Sequence, residues 1–79
     1  MYNRIGPRFW IDAYAANASP ERCERIAAAI KSAFPSASVN VYGGPQNRKD
    51  SAEACRRPGS NEEDRALEAP IVAIIQATP

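Results

Sequence analysis

The sequence predicts a small α+β domain: a three-stranded sheet backed by one long helix, with short helical turns before the last strand. Three features predict it: two segments whose side chains alternate, an amphipathic helical pattern between them, and an aliphatic segment in the last ten residues. A chain of 79 residues has the length of one domain, so we expect 1–79 to form a single folded unit. Its composition, 44% hydrophobic and 24% charged, is typical of globular rather than disordered chains.

Two strands are predicted over residues 9–15 and 37–42, because apolar and polar side chains alternate there. Period two is typical of a strand that buries one of its faces. The other face collects aromatic and polar side chains, which are Trp10, Asp12 and Tyr14 in the first strand and Asn40 and Tyr42 in the second.

One amphipathic helix is predicted between these strands. Ser19 is a favourable N-cap, Pro20 suits the first helical position, and Glu21 complements the helix dipole. Apolar residues then recur every three or four positions in one stripe, namely Cys23, Ile26, Ala27, Ile30, Ala33 and Phe34. Pro35 ends the helix because it lacks a backbone N–H. Strand, helix and strand make a βαβ unit, which predicts parallel strands and a right-handed crossover.

The last predicted strand runs from Ile71 to Thr78 and is apolar on both sides. A strand of that kind is usually central in its sheet. We therefore predict a split βαβ arrangement in which this strand lies between the other two, antiparallel to both; an all-parallel order is the alternative. Val72 and Ile74 would then project toward the face that carries the aromatic residues.

Segment 45–70 is expected to form short helical turns, since a structureless loop of this length is uncommon in so small a domain. Two candidate turns carry capping signals, one from Asp50 or Ser51 to Arg57 and one, with an S-x-x-E capping box, from Ser60 to Glu68. Pro70 is expected to end the segment before the last strand.

Several chemistries lack support in the sequence. The chain contains no histidine, its two cysteines do not form a C-x-x-C pair, and no phosphate-loop, dinucleotide or nucleophile-elbow motif is present. We therefore expect no cofactor and no metal. A net charge of +1 argues against a dedicated nucleic-acid binder. No apolar run approaches the roughly 20 residues that span a bilayer, and no secretory signal is recognisable, so a cytoplasmic protein with reduced thiols is expected.

Two local features have a functional and a structural interpretation. The Gly-Gly-Pro segment 43–45 follows a strand, as phosphate-binding loops do, but proline removes one N–H donor and favours a simple turn. Cys55 adjoins Arg56 and Arg57, whose charge favours a reactive thiolate. Because no histidine base exists, an incidental thiol in a surface helix is the simpler interpretation. Cys23, on the apolar stripe, is interpreted as a small core residue.

The aromatic and polar face is the main candidate contact surface, because Trp and Tyr supply large contact area at low entropic cost. Alternatively, segment 45–70 folds over this face and makes the aromatics a second small core. The basic stretch after residue 47 could contact phosphates while the aromatics stack bases, although acidic residues follow it at once. The candidate partner-binding residues are Trp10, Asp12, Tyr14, Asn40, Tyr42, Arg48, Lys49, Arg56 and Arg57.

The sequence thus predicts a non-enzymatic protein-binding module: an adaptor, or an inhibitor of a larger protein or complex, with no membrane association. Inhibitors of host systems encoded by phages and mobile elements are often of this size, which is an analogy of size alone. Nucleic-acid binding through the basic stretch and the aromatics is the alternative. A small enzyme built on Asp12, Tyr14 or Cys55 has the least support.

Overall fold

A computed structural model describes residues 9–56 and 62–79. It confirms the predicted α+β class, with a three-stranded mixed sheet, one long helix, a second helix and a short helical turn. In chain order the elements are β1 (Trp10–Tyr14), α1 (Pro20–Ala33), β2 (Ser38–Tyr42), β3 (Ser51–Cys55), α2 (Glu62–Arg65) and α3 (Glu68–Ala77).

The sheet has the strand order β2-β1-β3, so β1 is its central strand. β1 and β2 pair in parallel, with Trp10 opposite Ser38, and β1 and β3 pair antiparallel, with Trp10 opposite Cys55. The parallel βαβ unit predicted from the sequence is therefore present. The predicted split order was wrong, because β1 and β2 are direct neighbours and the third strand lies at an edge.

Helix α1 forms as its capping signals predict. The Ser19 Oγ accepts a hydrogen bond from the Arg22 backbone N–H at 3.2 Å, and Pro20 occupies the first turn. At the other end, the Phe34 backbone N–H donates to the Ile30 carbonyl at 2.8 Å just before Pro35. The helix lays its apolar stripe on one face of the sheet.

The core lies between this face of the sheet and the two longer helices. Its fully buried large side chains are isoleucines, contributed by β1, α1 and α3: Ile11, Ile26, Ile30, Ile71 and Ile75. The other buried positions of the core are alanines, namely Ala13, Ala15, Ala18, Ala37, Ala52 and Ala54. Phe9 and Phe34 close one side of this core, with ring centroids 6.0 Å apart and planes at 89°. Cys23 packs partly buried against the same core, as predicted.

The segment predicted as the last strand is instead the helix α3. Ile71 and Ile75, four residues apart, are both fully buried, whereas Ala73 between them is exposed. A short aliphatic run does not by itself distinguish strand from helix, and packing on the sheet decided the outcome here. Pro70 does not end the segment. It lies in the first turn of α3, where a backbone N–H would have no acceptor within the helix.

The third strand comes from residues predicted to form a helical turn. In β3, Ala52 and Ala54 are buried against the core, while Glu53 between them is exposed. Asp50 does not cap a helix: its Oδ1 accepts a hydrogen bond from the Ala16 backbone N–H at 2.8 Å. That bond ties the start of β3 to the turn after β1, and strand pairing overrides the helical preference of alanine and glutamate.

The second predicted helical turn is present as α2, although it ends at Arg65 rather than at Glu68. The proposed cap Ser60 and the residue Arg57 lie outside the described residues. Among the described residues, no helix is both long enough and apolar enough to cross a membrane.

Candidate binding surface

Within the residues that the structure describes, one face of the sheet lacks the packing that buries the other. Alternation in the three strands directs three side chains from each strand to this side, and the pairing register aligns them in three rows. We name this set the open sheet face; its rows are Ser38, Trp10 and Cys55, then Asn40, Asp12 and Glu53, then Tyr42, Tyr14 and Ser51.

None of these nine side chains is buried. Asn40, Tyr42 and Glu53 are exposed, and Trp10 and Tyr14 are half-buried. The helices α1 and α3 lie on the opposite side, because the buried residues of β1, Ile11 and Ala13, belong to the core that those helices complete. Val72 and Ile74 also pack against that core, so the prediction that they project to the aromatic side was wrong.

The two tyrosines of the open sheet face stack on each other. Tyr14 and Tyr42 are directly opposite in the parallel pair β1–β2, and their ring centroids lie 5.2 Å apart with planes at 19°. Tyr42 is 46% exposed, making it the exposed large hydrophobic residue of the described chain. A stack of this kind packs the two rings against each other, and the exposure of Tyr42 leaves part of its ring accessible to another molecule.

Carboxylates occupy the middle row. Asp12 is opposite Asn40 on one side and opposite Glu53 on the other. The Asn40 Nδ2 donates a hydrogen bond to the Asp12 Oδ1 at 3.2 Å. With two acidic and no basic side chains among its nine residues, the open sheet face is negatively charged, although the whole chain carries a net charge of +1.

The carboxylates also affect the neighbouring phenol. Partial burial is the largest cause that raises the pKa of Tyr14 above its usual value, followed by the negative charges of Glu53 and Asp12. The phenol is therefore protonated, and available as a hydrogen-bond donor, throughout the neutral range.

The basic candidates do not join the aromatic ones in a single patch. Arg48 and Lys49 are exposed in the loop between β2 and β3, at the end of the sheet where Tyr14 lies. Arg56 follows β3 at the opposite end, where its Nε donates to the buried Asp64 Oδ1 at 2.9 Å. Arg57 is outside the described residues. The structure therefore divides the three described basic candidates between the two ends of the sheet.

The contribution of β3 to this surface does not follow from the sequence, whose pattern predicts a helical turn at Ser51 and Glu53. Cys55 was likewise assigned to a surface helix and instead ends β3, opposite Trp10. The signal was present as the alternation of small residues at 52 and 54 with polar residues at 51 and 53. Alanine, however, is as compatible with a helix as with this strand.

The Gly-Gly-Pro segment forms a turn, as predicted. Gly44 has a φ of +91°, and its carbonyl accepts from the Asn47 N–H at 3.1 Å. A Cβ at Gly43 would lie 2.6 Å from both the Ala18 carbonyl oxygen and the Cys23 Sγ, which explains the glycine there. A shallow groove runs beside this turn and the start of α1. The part of the chain that the structure describes holds no cluster of potential metal ligands.

Comparison of this chain with protein-family models, curated proteins and solved structures finds no match.

Proposed function

We propose that this chain is a non-enzymatic protein-binding module, an adaptor or an inhibitor, that contacts a larger protein or complex through the open sheet face. The observation that carries the proposal is a stacked tyrosine pair, with Tyr42 exposed and Tyr14 half-buried, on the same face as the half-buried Trp10 and several polar groups. Aromatic residues of this kind supply most of the binding energy in many protein interfaces. We also propose a cytoplasmic location and, for an inhibitor, an origin in a phage or mobile element.

The dimensions of the face support a role as the centre of an interface. Three five-residue strands cover an area of about 17 Å by 14 Å. This area is smaller than the roughly 800 Å² that a standard interface buries on each partner. The surrounding rim would then include the exposed loop residues Arg48 and Lys49, at the tyrosine end of the sheet. Part of the basic stretch would then contact the partner at the rim of the interface and would not form a separate site.

The positions of the enzyme candidates favour binding over catalysis. Tyr14 is opposite Ser51 and Trp10 is opposite Cys55, so Tyr14 and Cys55 lie at opposite ends of the face, about 13 Å apart along the strand. A nucleophile and the base that takes its proton must approach to about 3 Å. Asp12 lies between them, and its Oδ1 accepts a hydrogen bond from the Asn40 amide.

Nucleic-acid binding is disfavoured by the charge of the same face. Bases that stacked on Tyr14 and Tyr42 would bring their phosphates next to the carboxylates of Asp12 and Glu53. Single-strand binders combine aromatic platforms with a positively charged groove, whereas the described basic candidates, Arg48, Lys49 and Arg56, are divided between the two ends of the sheet.

The proposal is tested by affinity capture with a face variant and a helix variant. We expect Trp10→Ala combined with Tyr42→Ala to abolish capture of the partner, which is then identified by mass spectrometry. Glu24→Ala with Ser32→Ala changes two exposed residues of α1 and should leave capture unchanged. Tyr42→Ala alone, at an exposed position, separates loss of contact from loss of folding, and circular dichroism verifies each variant. Equal capture by the face and helix variants would refute the proposal.

A further inference from the structure

The charge of the open sheet face specifies the chemistry of its partner. Asp12 and Glu53 are adjacent in the middle row, and within the described chain neither has an ion-pair partner. The Asn40 amide uses one acceptor site of Asp12, whereas an ionised carboxylate offers about four. Both groups therefore retain acceptor capacity on a surface that no basic side chain of the face neutralises.

The tyrosine pair adds a second recognition element, close enough to the carboxylates for one side chain to contact both. Tyr14 is two residues from Asp12 on β1, so the aromatic row and the carboxylate row lie about 7 Å apart on the same side. A cation placed over a tyrosine ring is attracted by the negative face of its π system. A side chain long enough to cover the ring and reach the next row satisfies both elements together.

Arginine fits this arrangement better than lysine does. Its guanidinium is planar, stacks on aromatic rings, and presents paired donors that match a carboxylate. Lysine provides a point charge without the flat surface. Phosphate-bearing ligands are repelled by the same two carboxylates.

We infer that the open sheet face binds a basic segment of a partner protein, with an arginine side chain lying over the Tyr14–Tyr42 pair and hydrogen-bonded to Asp12 and Glu53. This inference rests on the proposed function, since it names the chemical class of the partner for the same surface. Charge complementarity between the two carboxylates and a cationic side chain supports this assignment.

Trp10 provides the reporter for a direct test. It is the single tryptophan of the chain and lies one row from the carboxylates, so its fluorescence reports binding at this face. The full chain is titrated with a blocked peptide of arginines spaced by glycine, and with the lysine and glutamate versions. We expect saturable binding of the arginine peptide, weaker binding of the lysine peptide and none of the glutamate peptide, with affinity falling as salt is raised.

Charge-neutral variants locate the binding site. Asp12→Asn with Glu53→Gln keeps the side-chain shapes and should weaken the arginine peptide by about tenfold or more, the scale of one or two hydrogen bonds to charged groups. Glu21→Gln with Glu24→Gln removes the same charge from exposed positions of α1 and should change affinity by less than about threefold.

Three results would overturn the inference: no saturable binding of the arginine peptide, equal weakening by the face and helix variants, or tighter binding of a single-stranded oligonucleotide than of the arginine peptide. The proposed function and the basic partner are distinguished by partner capture. If partner capture is lost with Trp10→Ala and Tyr42→Ala but kept with Asp12→Asn and Glu53→Gln, the surface binds protein and the basic partner is refuted.

Discussion

At the scale of single residues, the open sheet face couples the ionisation of one phenol to two carboxylates. Tyr14 is half-buried, lies two residues from Asp12, and is a diagonal neighbour of Glu53 on β3. Partial burial and these negative charges all disfavour the phenolate, so they raise the pKa of Tyr14 in the folded chain. The same coupling connects stability to pH at the alkaline end.

We predict that the free energy of unfolding falls as the pH rises above the usual tyrosine pKa of about 10. The unfolded chain loses the Tyr14 proton first because its phenol is no longer partly buried or held beside Glu53, so stability is lost up to the raised pKa of the folded chain. Denaturant titrations at several alkaline pH values measure the decline. Tyr14→Phe should show a smaller decline, and an identical decline in that variant would contradict the assignment.

At the scale of elements, an ion pair fastens α2 to the end of β3. The Asp64 side chain is 0% exposed, and the guanidinium of Arg56 lies 2.9 Å from it through Nε. The same guanidinium approaches the exposed Glu63 only to 3.8 Å through Nη2. A buried carboxylate depends on its cationic partner far more than an exposed one does, because water does not replace the lost interaction.

We expect Arg56→Met to lower the free energy of unfolding by about 1–3 kcal/mol, since it keeps the aliphatic part of the side chain and removes one charged partner of the buried Asp64. Arg56 is itself 42% exposed, which places the expected loss below that of a fully buried pair. Glu63→Gln should change stability by less than about 0.5 kcal/mol. Equal effects of the two variants in urea titrations would show that burial of Asp64 is not what matters.

At the scale of the whole molecule, a long-range contact joins the first helix to the last. The Arg22 side chain on α1 donates from Nε to the Thr78 carbonyl and from Nη2 to the Ile75 carbonyl, each at 3.0 Å. These carbonyls lie at the C-terminus of α3, where the helix dipole favours a positive charge. Arg22 therefore helps to hold α3 against α1, and with it the isoleucines that complete the core.

Replacing Arg22 with Met should destabilise the fold by about 1–2 kcal/mol and increase amide hydrogen exchange in α3 more than in β1. Arg25 makes a similar bond to the Pro79 carbonyl at 3.0 Å, but at an exposed position. Arg25→Met should therefore cost less than about 0.5 kcal/mol. Uniform exchange changes across the chain in the Arg22 variant would argue against a local role in docking α3.

Predictability from sequence varied with how much local information each element carries. α1 has a cap, a first-turn proline, a stripe and a stop, all in agreement, so its bounds followed from the sequence. Apolar and polar residues alternate strongly in β1 and β2. The sequence therefore places their outward side chains correctly on one face, namely Trp10, Asp12, Tyr14, Asn40 and Tyr42. Residues 51–55 and 71–77 carry only short alanine- or isoleucine-rich patterns that suit either type of element.

The sequence alone determined the α+β class, the βαβ unit and the identity of the aromatic face, because these depend on patterns local to each segment. Only the tertiary structure decided that Ile71–Ala77 is helical, that 51–55 is a strand, and that Glu53 therefore stands beside Asp12. The physical reason is that these segments have nearly balanced local preferences. Burial of Ile71 and Ile75 on the sheet, and pairing of β3 with β1, supply the free energy that selects between them.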